Sequence, residues 1–384
     1  MRYLEVDTSL LLETDEQRIL RAVLRGFFAE TCAHDDVREQ SASARGYDET
    51  SWRRMAAEVG VQGLAIPERF GGSGYSFAEL AVALEEAGRA LAPSPLLPTV
   101  VFAATALLSS GDEAACARYL PRIADGSLTA TVAGVSELAD VRAERGGGGG
   151  GGGWVLRGRV DFVIDGQGAD LVLVPARTAD GGVRLFACEP AEGTCVRTAR
   201  RVLDETRRLA LVEFRGAPAS VVGDCDTTAE ILAPTVDRGL AALAVEQVGG
   251  ARYALEATVG FVAGRRQFGR AIGSFQAVKH RLADLLVEVE AARSAAAYAV
   301  ACAVGAPDEA AVSARVAAVV CSGAYQRAAA EYVQLHGGIG FTWEHAAHLY
   351  LRRARADEVL LGTGAEHRDR LADLLGLPRR AVVC

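Results

Sequence analysis

Residues 264–280 read Gly264-Arg265-Arg266-Gln267-Phe268-Gly269-Arg270-Ala271-Ile272-Gly273-Ser274-Phe275-Gln276-Ala277-Val278-Lys279-His280. Basic residues gather where a helical pattern ends, glycine turns follow, and Ser274 opens a new helix. Arginines grouped in this way can pair bidentately with a diphosphate. A solvated basic loop between two helices explains the same letters. A second segment, Gln334-Leu335-His336-Gly337-Gly338-Ile339-Gly340-Phe341-Thr342-Trp343-Glu344-His345, puts three glycines at a helix boundary. Glycine there lets a ligand approach the backbone N–H groups closely. A helix cap followed by a tight turn is the alternative.

Both segments sit in a helical, alanine-rich stretch, residues 226–384. Amphipathic patterns cover Thr227–Ala263, Ser274–Val304, Asp308–His336 and His345–Arg355. Four or more such helices predict a bundle. Residues 1–128 are also helical in pattern. Apolar positions at Ile19, Leu20, Val23, Leu24, Phe27 and Phe28 recur with the helix period. Ser76 with Glu79 predicts a capping box on Phe77–Ala90, and Asp112 predicts a cap on Glu113–Leu120, stopped by Pro121. Residues 129–225 differ. Period-two stretches at 154–156, 160–164, 171–174, 183–187 and 209–214 predict an antiparallel β domain. Within it, Gly146–Gly153 is a run expected to be a flexible loop tip. The order is helix, β, helix, an α+β chain in three domains: 1–128, 129–225 and 226–384.

Composition narrows the function. The chain has 384 residues, 50% hydrophobic and 23% charged, which is globular. Its net charge of -8 argues against nucleic acid or an anionic membrane as partner. Lys279 is the only lysine. No apolar run approaches a membrane span, and the acidic N-terminus lacks a signal-peptide core, so a cytoplasmic protein is expected. Eight scattered cysteines with no C-x-x-C read as free thiols. There is no Walker A loop, H-E-x-x-H or G-x-S-x-G. Gly71-Gly72-Ser73-Gly74 reads as a turn, and His345 with His348 lacks a third clustered ligand, so no metal site is expected.

The two long segments, R-x-Q-F-G-x-x-I-G-x-F-Q-x-x-K-H and Q-x-H-G-G-I-G-F-T-W-E-H, resemble those of the acyl-CoA dehydrogenases. Ile66-Pro67-Glu68-Arg69-Phe70-Gly71-Gly72-Ser73-Gly74 resembles that family's P-E-x-x-G-G-x-G turn. The resemblance covers the whole chain and implies a three-domain fold with FAD between the β domain and the C-terminal bundle. It implies that Arg265 takes the diphosphate, that Phe268 packs nearby and that Gln276 is a polar contact. It implies that Gln334, Leu335, His336, Gly337 and Gly338 let the adenosine half, held by a neighbouring subunit, approach backbone. The implied reaction removes two hydrogens from an acyl-CoA thioester. A glutamate takes the α proton, the β hydrogen leaves as hydride to the flavin, and an electron-transfer flavoprotein or similar acceptor reoxidises it.

Against that pattern, the late glutamate of Y-E-G-T is Leu361, and the alternative position on an earlier helix is Gly239. The W-x-T triplet that touches the flavin ring is Phe162-Val163-Ile164, and Ala133–Arg145 lacks the expected E-P-x-x-G-S. Glu246 is seven residues beyond Gly239, on the same helix face, and is a candidate replacement base. A glutamate paired with an arginine such as Arg252 is the alternative. Asp357 and Glu358 are nearer the lost position in sequence but point elsewhere. Three readings follow: a dehydrogenase with a relocated base, a half-site subunit of a mixed oligomer with a paralogous partner, or a repurposed flavin-binding scaffold. A homo-oligomer or such a paired one is expected.

Overall fold

The computed structural model describes residues 7–135, 140–146, 153–224 and 228–377. The N-terminal helical part contains α1 (Asp15–Thr31), α2 (His34–Ala42), α3 (Glu49–Arg54), α4 (Phe77–Ala90), α5 (Ala104–Ser109) and α6 (Glu113–Ala124). The β part contains β1 (Ala130–Val132), β2 (Asp140–Arg145), β3 (Trp154–Ile164), β4 (Leu171–Thr178), β5 (Val183–Cys188), β6 (Cys195–Ala199) and β7 (Leu209–Val222). The C-terminal bundle contains α7 (Thr228–Gly264), the short strands β8 (Arg266–Gln267) and β9 (Arg270–Ala271), then α8 (Gln276–Gly305), α9 (Pro307–His336), α10 (Ala347–Asp357) and α11 (Gly364–Leu374). The fold is α+β, as the pattern predicts.

Local chemistry explains most boundaries. At α4 the Ser76 hydroxyl accepts from the Ala78 amide at 3.0 Å, and Glu79 takes the Ser76 amide at 2.9 Å. At α6 the Asp112 carboxylate accepts from the Ala115 amide at 2.9 Å. That helix does not stop before Pro121 but runs three residues further, because Leu120 and Ile123 are both fully buried on its inner face. Burial outweighs the lost backbone donor. Ser274 does not open α8 either. It sits in a short 3-10 turn and donates to the Ala271 carbonyl at 2.6 Å, and the helix starts at Gln276.

Compactness groups the chain differently from its order. One unit comprises Met1–His34, Ala81–Ala92 and Leu240–Cys384; the other comprises Asp35–Leu80 and Pro93–Gly239. In the second unit the sheet pairs β4-β2-β3-β7-β5 and returns from β5 to β4, with β1 on β4 and β6 on β7. Val141, Leu156, Val174, Phe186, Val212 and Phe214 fill its core. The sheet is not purely antiparallel: β1 and β2 both run parallel to β4. Residues 154–156 and 160–164 belong to one strand, bent by an irregularity between Val160 and Val163, where Phe162 takes φ +54°.

In the first unit α7 is crossed by α4 at very short range. A Cβ on Gly88 would lie 2.2 Å from the Glu246 carbonyl oxygen, and one on Gly249 would lie 2.0 Å from that of Glu85. Glycine is required at both places. The six described cysteines are free thiols, five of them buried. Cys225, Cys384 and the interior of the glycine run, 147–152, lie outside the described residues. No described helix is long and apolar enough to cross a membrane.

Candidate functional site

The end of α9 forms a backbone platform. Gly337 takes φ +62° and ψ -139°, a conformation reserved for glycine, and its amide caps the helix on the Gln334 carbonyl. Nothing lies within 4 Å of where a Cβ on Gly337 or Gly338 would be, whereas one on Gly340 would lie 2.6 Å from the Val333 carbonyl. Gln334, Gly337 and Gly338 are exposed, Leu335 is half-buried, and His336 is buried. Phe341 is 87% exposed and Trp343 67%.

His336 anchors the platform from below. Its Nδ1 donates to the Tyr332 carbonyl at 2.7 Å. Its ring stacks on Phe261 at 4.1 Å and stands 4.6 Å from His345. Burial pushes the imidazole below its usual 6.5, the Tyr332 carbonyl opposes that, and His345 adds to it. The sequence reading did not anticipate this supporting layer of Tyr253, Phe261, Tyr332 and Tyr350. The i, i+4 spacing of Tyr332 and His336 was its only signal.

A hairpin carries the arginines. Phe268 and Gly269 both have positive φ, +51° and +76°, at the tip between β8 and β9. Phe268 is 91% exposed, an unusual cost for an aromatic in that conformation. Arg265, Arg266 and Arg270 are exposed, and the Arg270 guanidinium lies 3.8 Å over the Phe275 ring. Gln276 begins α8 and is exposed. Guanidiniums, an open glycine backbone and exposed aromatics suit a dinucleotide with a diphosphate, so these residues fit FAD.

Neither inherited base position offers a carboxylate. Leu361 is 6% exposed and lines a cleft with Gln247, Ser322, Asp357, Glu358 and His367, so the two acids expected to point elsewhere share the cleft of the lost base position. His367 was missed in sequence; burial pushes its imidazole down, with Arg315 helping. A Cβ on Gly239 would lie 2.0 Å from the Phe102 ring, so a side chain there requires that ring to move. Glu246 is 7% exposed, at the α4–α7 crossing and not among the residues lining that cleft. Arg252 is paired with Glu85 at 2.7 Å, and Glu358 lies 3.5 Å from Arg355. Asp357 is buried. Phe162 is 65% exposed on its bulge, beside a buried Val163 and Ile164. The neighbouring hydroxyl, Thr131, donates to the Ile164 carbonyl at 2.7 Å. His345 and His348 have structural duties: His345 Nδ1 accepts from the Ala347 amide at 3.2 Å, and His348 Nδ1 donates to the His345 carbonyl at 2.7 Å.

Residues 14–127 match the family model for the acyl-CoA dehydrogenase N-terminal domain, and residues 233–376 match that for the C-terminal domain. The chain is 38% identical over 356 residues to acyl-CoA dehydrogenase IpdE2 of Mycobacterium tuberculosis, covering 92% of this chain and 95% of that one. It is 34% identical over 362 residues to IpdE2 of Mycolicibacterium smegmatis, covering 93% and 98%. Among solved structures, a variant of the Tcur3481-Tcur3483 steroid ACAD superposes with a TM-score of 0.83 at 32% identity, covering 94% and 98%. The ChsE4-ChsE5 complex from Mycobacterium tuberculosis superposes with a TM-score of 0.86 at 27% identity, covering 96% and 99%.

Proposed function

Because this chain belongs to the acyl-CoA dehydrogenase family, we propose that it serves FAD-dependent α,β-dehydrogenation of an acyl-CoA or carrier-bound acyl thioester as one member of a mixed oligomer. The partner chain brings the base that takes the α proton. One contrast carries the reading: most residues suited to the nucleotide are exposed, while the two base positions themselves hold Leu361 and Gly239, which cannot take a proton. Arg265 would meet the diphosphate, with Phe268 and Gln276 beside it, and the backbone of Gln334–Gly338 would meet the adenosine half. When bound, FAD supplies the hydride acceptor. Neither Leu361 nor Gly239, which lies against the Phe102 ring, can take a proton, and the carboxylates of the cleft that Leu361 lines are Asp357 and Glu358. A base is needed, since an α proton beside a thioester is only weakly acidic.

Two similar structures, the Tcur3481-Tcur3483 steroid ACAD variant and the ChsE4-ChsE5 complex, support pairing. The likeness to a steroid ACAD supports a bulky cyclic or branched acyl group. An electron-transfer flavoprotein is the proposed acceptor. A second reading is favoured by Glu246, a buried carboxylate on the Gly239 face of α7, as this chain's own base.

The visible spectrum of the chain, purified alone and with a co-expressed paralogue, tests this. The expected result is little flavin alone and a full complement that bleaches with acyl-CoA in the pair. A chain that is yellow alone and bleaches overturns the half-site reading. In that case Glu246→Gln should slow bleaching by about 10²–10⁴-fold, the usual worth of a general base.

A further inference from the structure

Three of the chain's six histidines, His336, His345 and His348, flank the glycine platform. One of them, His345, does work that only a neutral ring can do, and a second, His336, is buried where a charge is costly. His345 Nδ1 is an acceptor for the Ala347 amide, the first of α10. A proton on that nitrogen removes the acceptor and sets a cation at a helix N-terminus, where the dipole opposes it. His336 is enclosed by Phe261, Tyr332 and His345, with its Nδ1 already donating to the Tyr332 carbonyl. A proton on its other nitrogen puts a buried cation 4.6 Å from the second imidazole. The eight residues between the two rings, 337–344, contain the platform.

We propose that His336 and His345 form a proton-sensitive latch, so that acidification frees the segment between them and weakens this chain's hold on a nucleotide there. The nucleotide half rests on the function proposed above; the latch does not. Among the described residues, Tyr332 of α9 stands edge-on to both rings, His348 of α10 donates to the His345 carbonyl, and Phe261 of α7 brings no charge. Behind them, Tyr253 of α7 and Tyr350 of α10 pack on Tyr332. Arg89 of α4 lies over Tyr253 at 5.5 Å, and His34 stands edge-on to both tyrosines.

The sign follows from linkage. Burial holds His336 below its usual 6.5, so the latched state binds fewer protons than the released one. Latching is at full strength above 6.5 and is lost progressively as pH falls through 6.5 toward the lower bound-state value.

Amide hydrogen exchange across residues 337–346 of the full chain tests the latch. Measured between about pH 7.5 and 5.5 and corrected for intrinsic exchange, protection should fall roughly tenfold. His345→Asn keeps an acceptor for the Ala347 amide that does not titrate, and His336→Asn keeps a donor for the Tyr332 carbonyl. Either variant should flatten the profile. A flat wild-type profile, or variants as steep as wild type, overturns the latch. FAD titrated at both pH values reads the nucleotide half. Weaker binding at low pH in wild type but not in the variants supports it, and a loosened segment with unchanged FAD affinity overturns it. No FAD binding at either pH, with exchange still pH-dependent, counts against the proposed function and leaves the latch standing.

Discussion

Two glycine pairs in this chain look alike on paper and do opposite things. Gly249 lets α4 and α7 touch, because its missing Cβ would lie 2.0 Å from the Glu85 carbonyl and 2.8 Å from the Arg89 amide. Gly338 faces open space. Gly249→Ala should therefore cost about 1–3 kcal/mol through overpacking against backbone that cannot yield. Gly338→Ala should leave the unfolding free energy read by urea titration within about 0.5 kcal/mol of wild type. Its penalty should appear in FAD affinity, since the new methyl stands where the ligand would approach. Equal losses of stability in the two variants would contradict the assignment of Gly338 to a binding surface. The letters Gly249-Gly250 and Gly337-Gly338 do not separate these roles. The second pair was legible only because its flanking residues resemble a known motif. The first needs the partner helix, 160 residues away in the chain, to be seen. Glu246 failed to resolve for the same reason: its place on the Gly239 face was readable, but not the fact that α4 fills that crossing.

At the scale of elements, capping and periodicity located α1, α4 and the long bundle helices to within a few residues, because the signals are local. Contacts decided the rest. Pro121 does not stop α6, α11 went unread because its apolar face is short, and the parallel pairings on β4 join strands with another strand between them in sequence. The α1–α4 contact carries a pH dependence that sequence could not show. Arg21 and Arg25 of α1 bind Glu86 of α4 at 2.9 and 2.8 Å, with Glu86 only 2% exposed. Burial pushes the Glu86 carboxyl up, but hydrogen bonds from Arg25 and Arg21 win and hold it below the usual 4.5. Its folded-state value is thus depressed. The stabilisation is fully present above 4.5 and is lost as pH falls through the lower folded value. Glu86→Gln should cost about 2 kcal/mol at neutral pH, typical of hydrogen bonds to a charged group. The gap to wild type should close on acidification below 4.5. Urea titrations at a series of pH values read this directly; a gap that stays constant with pH would rule out the ion cluster as its source.

For the molecule as a whole, the C-terminal bundle is a match to a family domain in sequence but not a self-sufficient piece of this chain. Its compact unit takes in Met1–His34 and Ala81–Ala92 as well as Leu240–Cys384. The connections are specific. The Tyr350 hydroxyl donates to the Arg89 carbonyl at 2.6 Å, Arg252 pairs with Glu85 at 2.7 Å, and Tyr253 meets His34 at 3.2 Å. Removing the two early segments would uncover the face of α7 at Glu246 and Gly249, against which Glu85, Gly88 and Arg89 now lie. A fragment of residues 228–377 should therefore be helical by far-ultraviolet circular dichroism yet lack a cooperative thermal transition and bind a hydrophobic dye. Fusing residues 7–34 and 77–92 back through flexible linkers should restore the transition. A lone fragment that melts cooperatively, with dispersed amide resonances, would show that the early segments decorate the bundle and do not complete it. That result would also weaken the latch, because the tyrosine layer beneath His336 depends on Arg89 and His34 being in place.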